Sequence, residues 1–253
     1  MNGPPPSVRD LDSTLRTRGL EQRAGAEGDK TMTDSLTGRL WGSIDEIFQQ
    51  ILNHAFVRGL TDGSLDRDRF KFYVIQDALY LRDYARALAI CGARAPEEDE
   101  IKMFCTHASG AIEAERELHE GFFADFGLSE EMVRSTSPAP TNLAYTSYLL
   151  ATALHGSFPE ALGAVLPCYW IYWEVGKALV LRSSPDALYK RWIETYGSES
   201  FAEVVRPVLD LTDRIGAKLG GEEEAKVTDR FVTTARYEWM FWDMGYRMEA
   251  WPL

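Results

Sequence analysis

ALGAVLPCYWIYWEVG, residues Ala161 to Gly176, is the segment around which the rest of the chain is arranged. Val165, Cys168, Tyr172 and Val175 recur at steps of three and four, so one face of a helix carries a thiol and a phenol among apolar side chains. Pro167 removes a backbone amide and disturbs the turn before it, which marks either a kink or a first helical turn directly ahead of Cys168. Both readings place Cys168 near a locally exposed helix start, where the positive end of the dipole favours the thiolate below its usual pKa of about 8.5. Such a cysteine is a nucleophile. A buried cysteine acting as a small hydrophobe fits the same sixteen residues, and the segment alone leaves both open.

Working outward, the pattern stays helical. Leu36, Leu40, Ile44, Ile47, Phe48 and Ile51 keep a 3.6-residue stripe, and HAFVRGLTDGSL then breaks it with two glycines and an Asp-Gly turn signal. A second helix runs from Asp66 to about Ile90, with an acid-rich first turn, and Gly92 and Pro96 end it. The acids after Pro96 open a long helix towards Phe126. SPAP introduces Thr141 to His155, and Ser157 caps the helix that holds Cys168. Ser184, before Pro185 and Asp186, caps DALYKRWIETYG, which stops at Gly197. Phe201 to Leu219 follows, and after a polar GGEEEAK turn a last helix runs to Glu249. No period-2 run of β-branched residues interrupts this series. About eight helices with short connections predict an all-α multi-helix bundle, one domain over residues 34–253. Residues 1–33 have no apolar face and read as a disordered extension, neither a secretory signal nor a transit peptide; Met32 offers a second starting point for the folded part.

With 45% hydrophobic and 12% aromatic residues the chain is globular. A net charge of −12 argues against binding a phosphate backbone, so nucleic acid is not an expected partner. Three cysteines at no metal-ligand spacing give no disulfide framework, which suits a reducing cytoplasm. No apolar run approaches the roughly 20 residues that span a bilayer, so a soluble protein is expected.

Two further helix faces carry polar groups where apolar ones are the rule. Tyr73, Asp77, Tyr80 and Tyr84 fall at steps of four, three and four. These tyrosines read either as core residues partnered by Asp77 or as the wall of a polar pocket, since an inward carboxylate is costly without a partner. Val227, Phe231, Thr234, Glu238, Trp242 and Gly245 share a face of the last helix, which turns Glu238 inward. Desolvation there raises a glutamate from about 4.3 towards neutrality and makes it a proton donor at pH 7; a structural glutamate bridging two helices is the competing reading. Tyr145, Tyr148 and Tyr196, with Trp170, Trp173 and Phe241, could line an aromatic slot for a flat heterocycle.

Metal is not expected. A di-iron bundle needs Glu-x-x-His pairs, and the residues three before His54, His107, His119 and His155 are Ile51, Phe104, Arg116 and Thr152. Glu115 and His119, four apart, read as a solvated pair. There is neither a Gly-rich phosphate loop nor GxSxG.

Taken together, HAFVRGLTDGSL, RFKFYVIQDALYL, PTNLAYTSYLL, LPCYWIYWEVG, KRWIETYG and YEWMFWDMGYRMEAW, in this order from about Leu40 to Trp251, resemble the TenA family, thiaminase II or aminopyrimidine aminohydrolase. The resemblance implies a haem-oxygenase-like helical fold without haem, no cofactor, a homotetramer, and salvage of the pyrimidine half of thiamin. It assigns the nucleophile to Cys168, the carboxylate that orients and activates the thiol to Asp77, and the proton donor to Glu238. Tyr80, Tyr145, Tyr172 and Tyr196, with Asp77, match the residues that hold the pyrimidine. Cys168 places the chain with the cysteine-bearing subgroup. Ala55 departs from the pattern, since members commonly carry proline after the histidine. The competing classes are a non-catalytic pyrimidine-binding or regulatory protein and a metal-dependent oxidase of the same fold.

Overall fold

A computed structural model describes residues 35–253, apart from the side chains of residues 114–120 and 130. The expected extension and the Glu115–His119 pair therefore lie outside the described residues. Among the described residues ten helices follow one another: α1 Leu36–Leu52, α2 Ala55–Asp62, α3 Arg67–Arg94, α4 Glu98–Phe126, α5 Glu130–Ser135, α6 Pro140–His155, α7 Phe158–Val180, α8 Ala187–Tyr196, α9 Glu199–Gly216 and α10 Gly221–Arg247. No strand occurs among the described residues, and no helix among them is long and apolar enough to cross a membrane.

The helix starts follow capping chemistry. Ser35, Asp66 and Ser198 each accept a hydrogen bond from the first turn they precede. Ser157 and Glu160 form a reciprocal capping box at the start of α7. Asp186, not Ser184, caps α8, its carboxylate accepting from the Leu188 amide at 2.8 Å. The GGEEEAK stretch is no turn: Gly220 is the cap and the three glutamates sit in the first turn of α10, at the positive end of its dipole.

Two glycines expected to interrupt helices instead let them pack. HAFVRGLTDGSL holds α2, because a Cβ at Gly59 would meet Leu65 at 2.9 Å, so this glycine is there for close approach; the helix ends at Gly63, whose φ of +77° is left-handed. Ala55 starts α2 without proline because the His54 imidazole Nδ1 accepts from the Phe56 amide at 3.1 Å. Likewise α3 runs on through Gly92, where a Cβ would lie 3.1 Å from Cys105 Sγ on α4, and stops before Pro96.

α3 lies at the centre and packs on α4, α6, α7 and α10, while α7 lies against α6, α8, α9 and α10. Where α3, α7, α8 and α10 meet, Trp242 stacks on Tyr73 at 5.4 Å and 7° and on Tyr172 at 5.2 Å and 30°. Trp192 closes the group at 5.5 Å from Trp242. All four side chains are buried. Rings of this size bury the most apolar area per residue and lock the relative rotation of the helices that carry them.

Candidate active site

The helix containing Cys168 begins at Phe158, so the thiol sits in mid-helix, and Pro167 lies inside the helix. The expectation of an exposed helix start beside Cys168 is therefore corrected. No first-turn dipole reaches the sulphur, and its pKa lies well above the usual thiol value, not below it. Desolvation is the main cause, followed by the neighbouring Glu238 carboxyl; Tyr80 and Tyr84, which would hydrogen-bond the thiolate, act in the opposite direction. Cys168 nevertheless keeps some accessible surface, unlike the fully enclosed Cys91.

Five helices converge on this thiol. α3 brings Tyr73, Asp77, Tyr80 and Tyr84; α6 brings Tyr145; α7 brings Tyr172; α8 ends with Tyr196; α10 brings Glu238. Asp77 and Glu238 are 4% and 1% exposed, so both carboxyl groups are inward, as their helix faces implied. Tyr145 Oη donates to Glu238 Oε1 at 2.6 Å. Burial, with a smaller repulsion from Asp77, pushes the Glu238 pKa up to about 8, while the Tyr145 hydrogen bond works against the rise. Glu238 thus holds its proton at pH 7. The Tyr73 and Tyr172 hydroxyls are 3.0 Å apart, and the Tyr172 and Tyr196 rings 4.9 Å apart. Tyr196 responds to the charges of Asp77, Cys168 and Glu238, Tyr172 to those of Glu238 and Asp77, and Tyr80 and Tyr145 to those of Cys168 and Glu238, so these seven residues lie near one another. The Tyr80 hydroxyl is buried and faces the Cys168 thiol and the Tyr145 hydroxyl.

Parts of the expected slot lie elsewhere. Phe241 packs on Tyr80 at 5.4 Å and lines the site. Trp170 instead pairs with Trp41 at 4.5 Å, and Trp173 lies under the Lys177 ammonium at 4.0 Å. Tyr148 turns to Arg230, which donates to its hydroxyl at 3.3 Å.

Other contributors were not legible from spacing. Gln76, 1% exposed, accepts from the Ala139 amide at 2.9 Å and from Asn142 Nδ2 at 2.9 Å. Ala139 has no side-chain cap of its own, so a glutamine on α3 serves as the cap of α6 and fixes Tyr145 opposite Glu238. Glu249 adds a carboxylate to the same helix start, accepting from the Thr141 amide at 2.8 Å. The signal for Gln76 was its place next to Asp77 in the inward polar run; its partners lie more than sixty residues away. Among the described residues no group of three His, Cys, Asp or Glu side chains is disposed to hold a metal ion.

Fold and site together define an all-helical protein of the haem-oxygenase-like type whose centre holds a thiol, a protonated acid and a second carboxyl group inside a cage of phenols. Residues 41–248 match the model of the TENA/THI-4/PQQC family. The chain belongs to that family. It is 39% identical over 198 residues to the aminopyrimidine aminohydrolase of Bacillus subtilis (strain 168), covering 78% of this chain and 84% of that one. It is 36% identical over 219 residues to the aminopyrimidine aminohydrolase of Halalkalibacterium halodurans, covering 86% and 98%. Among solved structures, a TenA homologue from P. horikoshii OT3 superposes with a TM-score of 0.78 at 30% identity, over 84% of this chain and 99% of the other. A protein with a haem-oxygenase-like fold from Shewanella denitrificans superposes with a TM-score of 0.66 at 17% identity, over 83% and 91%, and so shares the fold.

Proposed function

We propose that this protein is a hydrolase of thiamin salvage, an aminopyrimidine aminohydrolase. Its substrate is 4-amino-5-aminomethyl-2-methylpyrimidine, its product the 5-hydroxymethyl compound, and thiamin itself a second substrate of the same chemistry. The observation that carries this reading is the pairing of a glutamic acid held protonated near neutral pH, Glu238, with the neighbouring thiol of Cys168. The names of the two relatives supply the substrate class.

In this mechanism the pyrimidine lies among Tyr80, Tyr145, Tyr172 and Tyr196. Asp77 takes the Cys168 proton as sulphur adds to a ring carbon, and Glu238 protonates the neighbouring ring nitrogen. Aromaticity is lost, and ring electrons fed by the 4-amino group break the C–N bond at the 5-methylene. The departing amine takes the proton from Asp77 and leaves as ammonia. Water adds to the methylene carbon and gives a proton back to Asp77. The C–S bond then breaks, the thiol is re-formed with that proton, and Glu238 recovers its own from the ring. The high thiol pKa fits this sequence, since sulphur loses its proton only when a base and an electrophile are both in place.

We place the protein in the cytoplasm as a single helical domain over residues 34–253 assembled as a homotetramer, which light scattering on the purified protein tests. The functional test compares turnover of the aminomethylpyrimidine and thiamin by the parent and by Cys168→Ser. Loss of at least about 100-fold in kcat with retained folding is expected for the variant. Near-parental activity in the serine variant would remove Cys168 from the mechanism, and absence of turnover of both substrates by the parent would leave a binding protein.

A further inference from the structure

The walls of the site are largely apolar and phenolic, and Cys168 and Glu238 both carry protons within it. A line of aromatic side chains runs from the site to α4. Tyr145, bonded to Glu238, lies 5.0 Å from Tyr80 between ring centroids. Tyr80 stacks on Tyr84 at 5.5 Å and 19°. Tyr84 meets Tyr169 edge-on at 5.7 Å, and the Tyr169 hydroxyl lies 3.1 Å from His107 Nδ1 on α4. All four tyrosines are 5% exposed or less, whereas His107 is only partly buried. Cys168 lies beside the middle of this line, where Tyr80 and Tyr84 both influence its acidity.

We infer that Tyr84, Tyr169 and His107 form a proton path between Cys168 and solvent, which Tyr80 and Tyr145 extend to Glu238. This rests on the hydrolase reading of the same site. Each phenol passes a proton on by accepting one from its neighbour and giving its own to the next, so no tyrosine gains net charge and nothing is oxidised or reduced. Tyr84 donates to the Val165 carbonyl at 2.9 Å, and its hydroxyl also lies within hydrogen-bonding reach of the Tyr169 hydroxyl. The imidazole ends the path because it can accept at one nitrogen and release at the other. His107 is a positioning residue for protons and touches neither substrate nor the reacting atoms.

The test uses full-length protein carrying Cys91→Ala and Cys105→Ala, so that Cys168 is the one remaining thiol, with Tyr169→Phe and His107→Leu made in that background. Conversion of S–H to S–D in D2O is followed by the infrared thiol stretch, and steady-state hydrolysis of the aminomethylpyrimidine is measured alongside. Both variants are expected to slow the exchange by at least about tenfold and to lower kcat with KM unchanged. Added imidazole is expected to restore exchange and kcat in a His107→Ala protein. Slowed exchange upholds the path. Parental exchange rates in both Tyr169→Phe and His107→Leu overturn it, whatever the activity. A parent that hydrolyses neither substrate defeats the functional reading, and the exchange rates still decide the path.

Discussion

Glu238 is the residue whose environment departs furthest from that of its kind in water. The helix-face pattern of α10 was enough to turn it inward, and desolvation raises its pKa from 4.5 to about 8. Two pH effects follow. Turnover that needs the protonated acid falls as pH rises through about 8, and Glu238→Gln, which keeps the shape but gives up the proton, is expected to lose that alkaline limb and at least about 100-fold in kcat. Stability moves the same way. The folded state holds this proton between about pH 4.5 and pH 8 while the unfolded chain releases it. The contribution is full below pH 4.5 and is lost as pH rises through 8. Denaturant titrations at pH 5 and pH 8 are expected to show a drop in stability for the parent that is smaller in Glu238→Gln. Cys168 shows the opposite outcome of reading residues alone. Proline before a cysteine implied a helix start and an acidic thiol, but Ser157 had already capped the helix ten residues earlier, and burial, not the dipole, sets the pKa.

At the scale of elements, the site depends on how closely α7 approaches the end of α8. A Cβ at Gly176 would lie 2.4 Å from the Tyr196 carbonyl carbon and 2.5 Å from the Gly197 amide. Backbone cannot give way as a flexible side chain does, so Gly176→Ala must push α8 off α7. That displaces Tyr196, whose ring meets Tyr172 at 4.9 Å. The variant is expected to lose about 1–3 kcal/mol of stability and to raise KM for the pyrimidine, as chemical denaturation and steady-state kinetics would measure. The sequence marked Gly197 as the end of α8, correctly. It gave no sign that Gly176, in the middle of an apolar helix, is the seat on which that end rests.

For the molecule as a whole, the shared aromatic core of Trp242, Tyr73, Tyr172 and Trp192 ties α3, α7, α8 and α10 into one unit. Trp242→Ala would leave a large cavity where four helices meet, at a cost of about 3–5 kcal/mol. Loss of activity is expected together with loss of structure in a single thermal transition, because the same rings that make the core back the walls of the site. Two separate transitions would show that core and site are independent.

Apolar period, caps and the inward polar residues of three helices were local properties, and the sequence by itself determined them: an all-α chain, most helix boundaries, and Asp77, Cys168 and Glu238 facing inward. Local pattern reads rotation about a helix axis, since side chains three and four apart share a face. It does not read which distant backbone a glycine will touch, which amide Gln76 will cap, or how much water a thiol keeps. Those were decided by tertiary structure, because close approach, buried hydrogen bonds and desolvation arise only when helices remote in sequence meet.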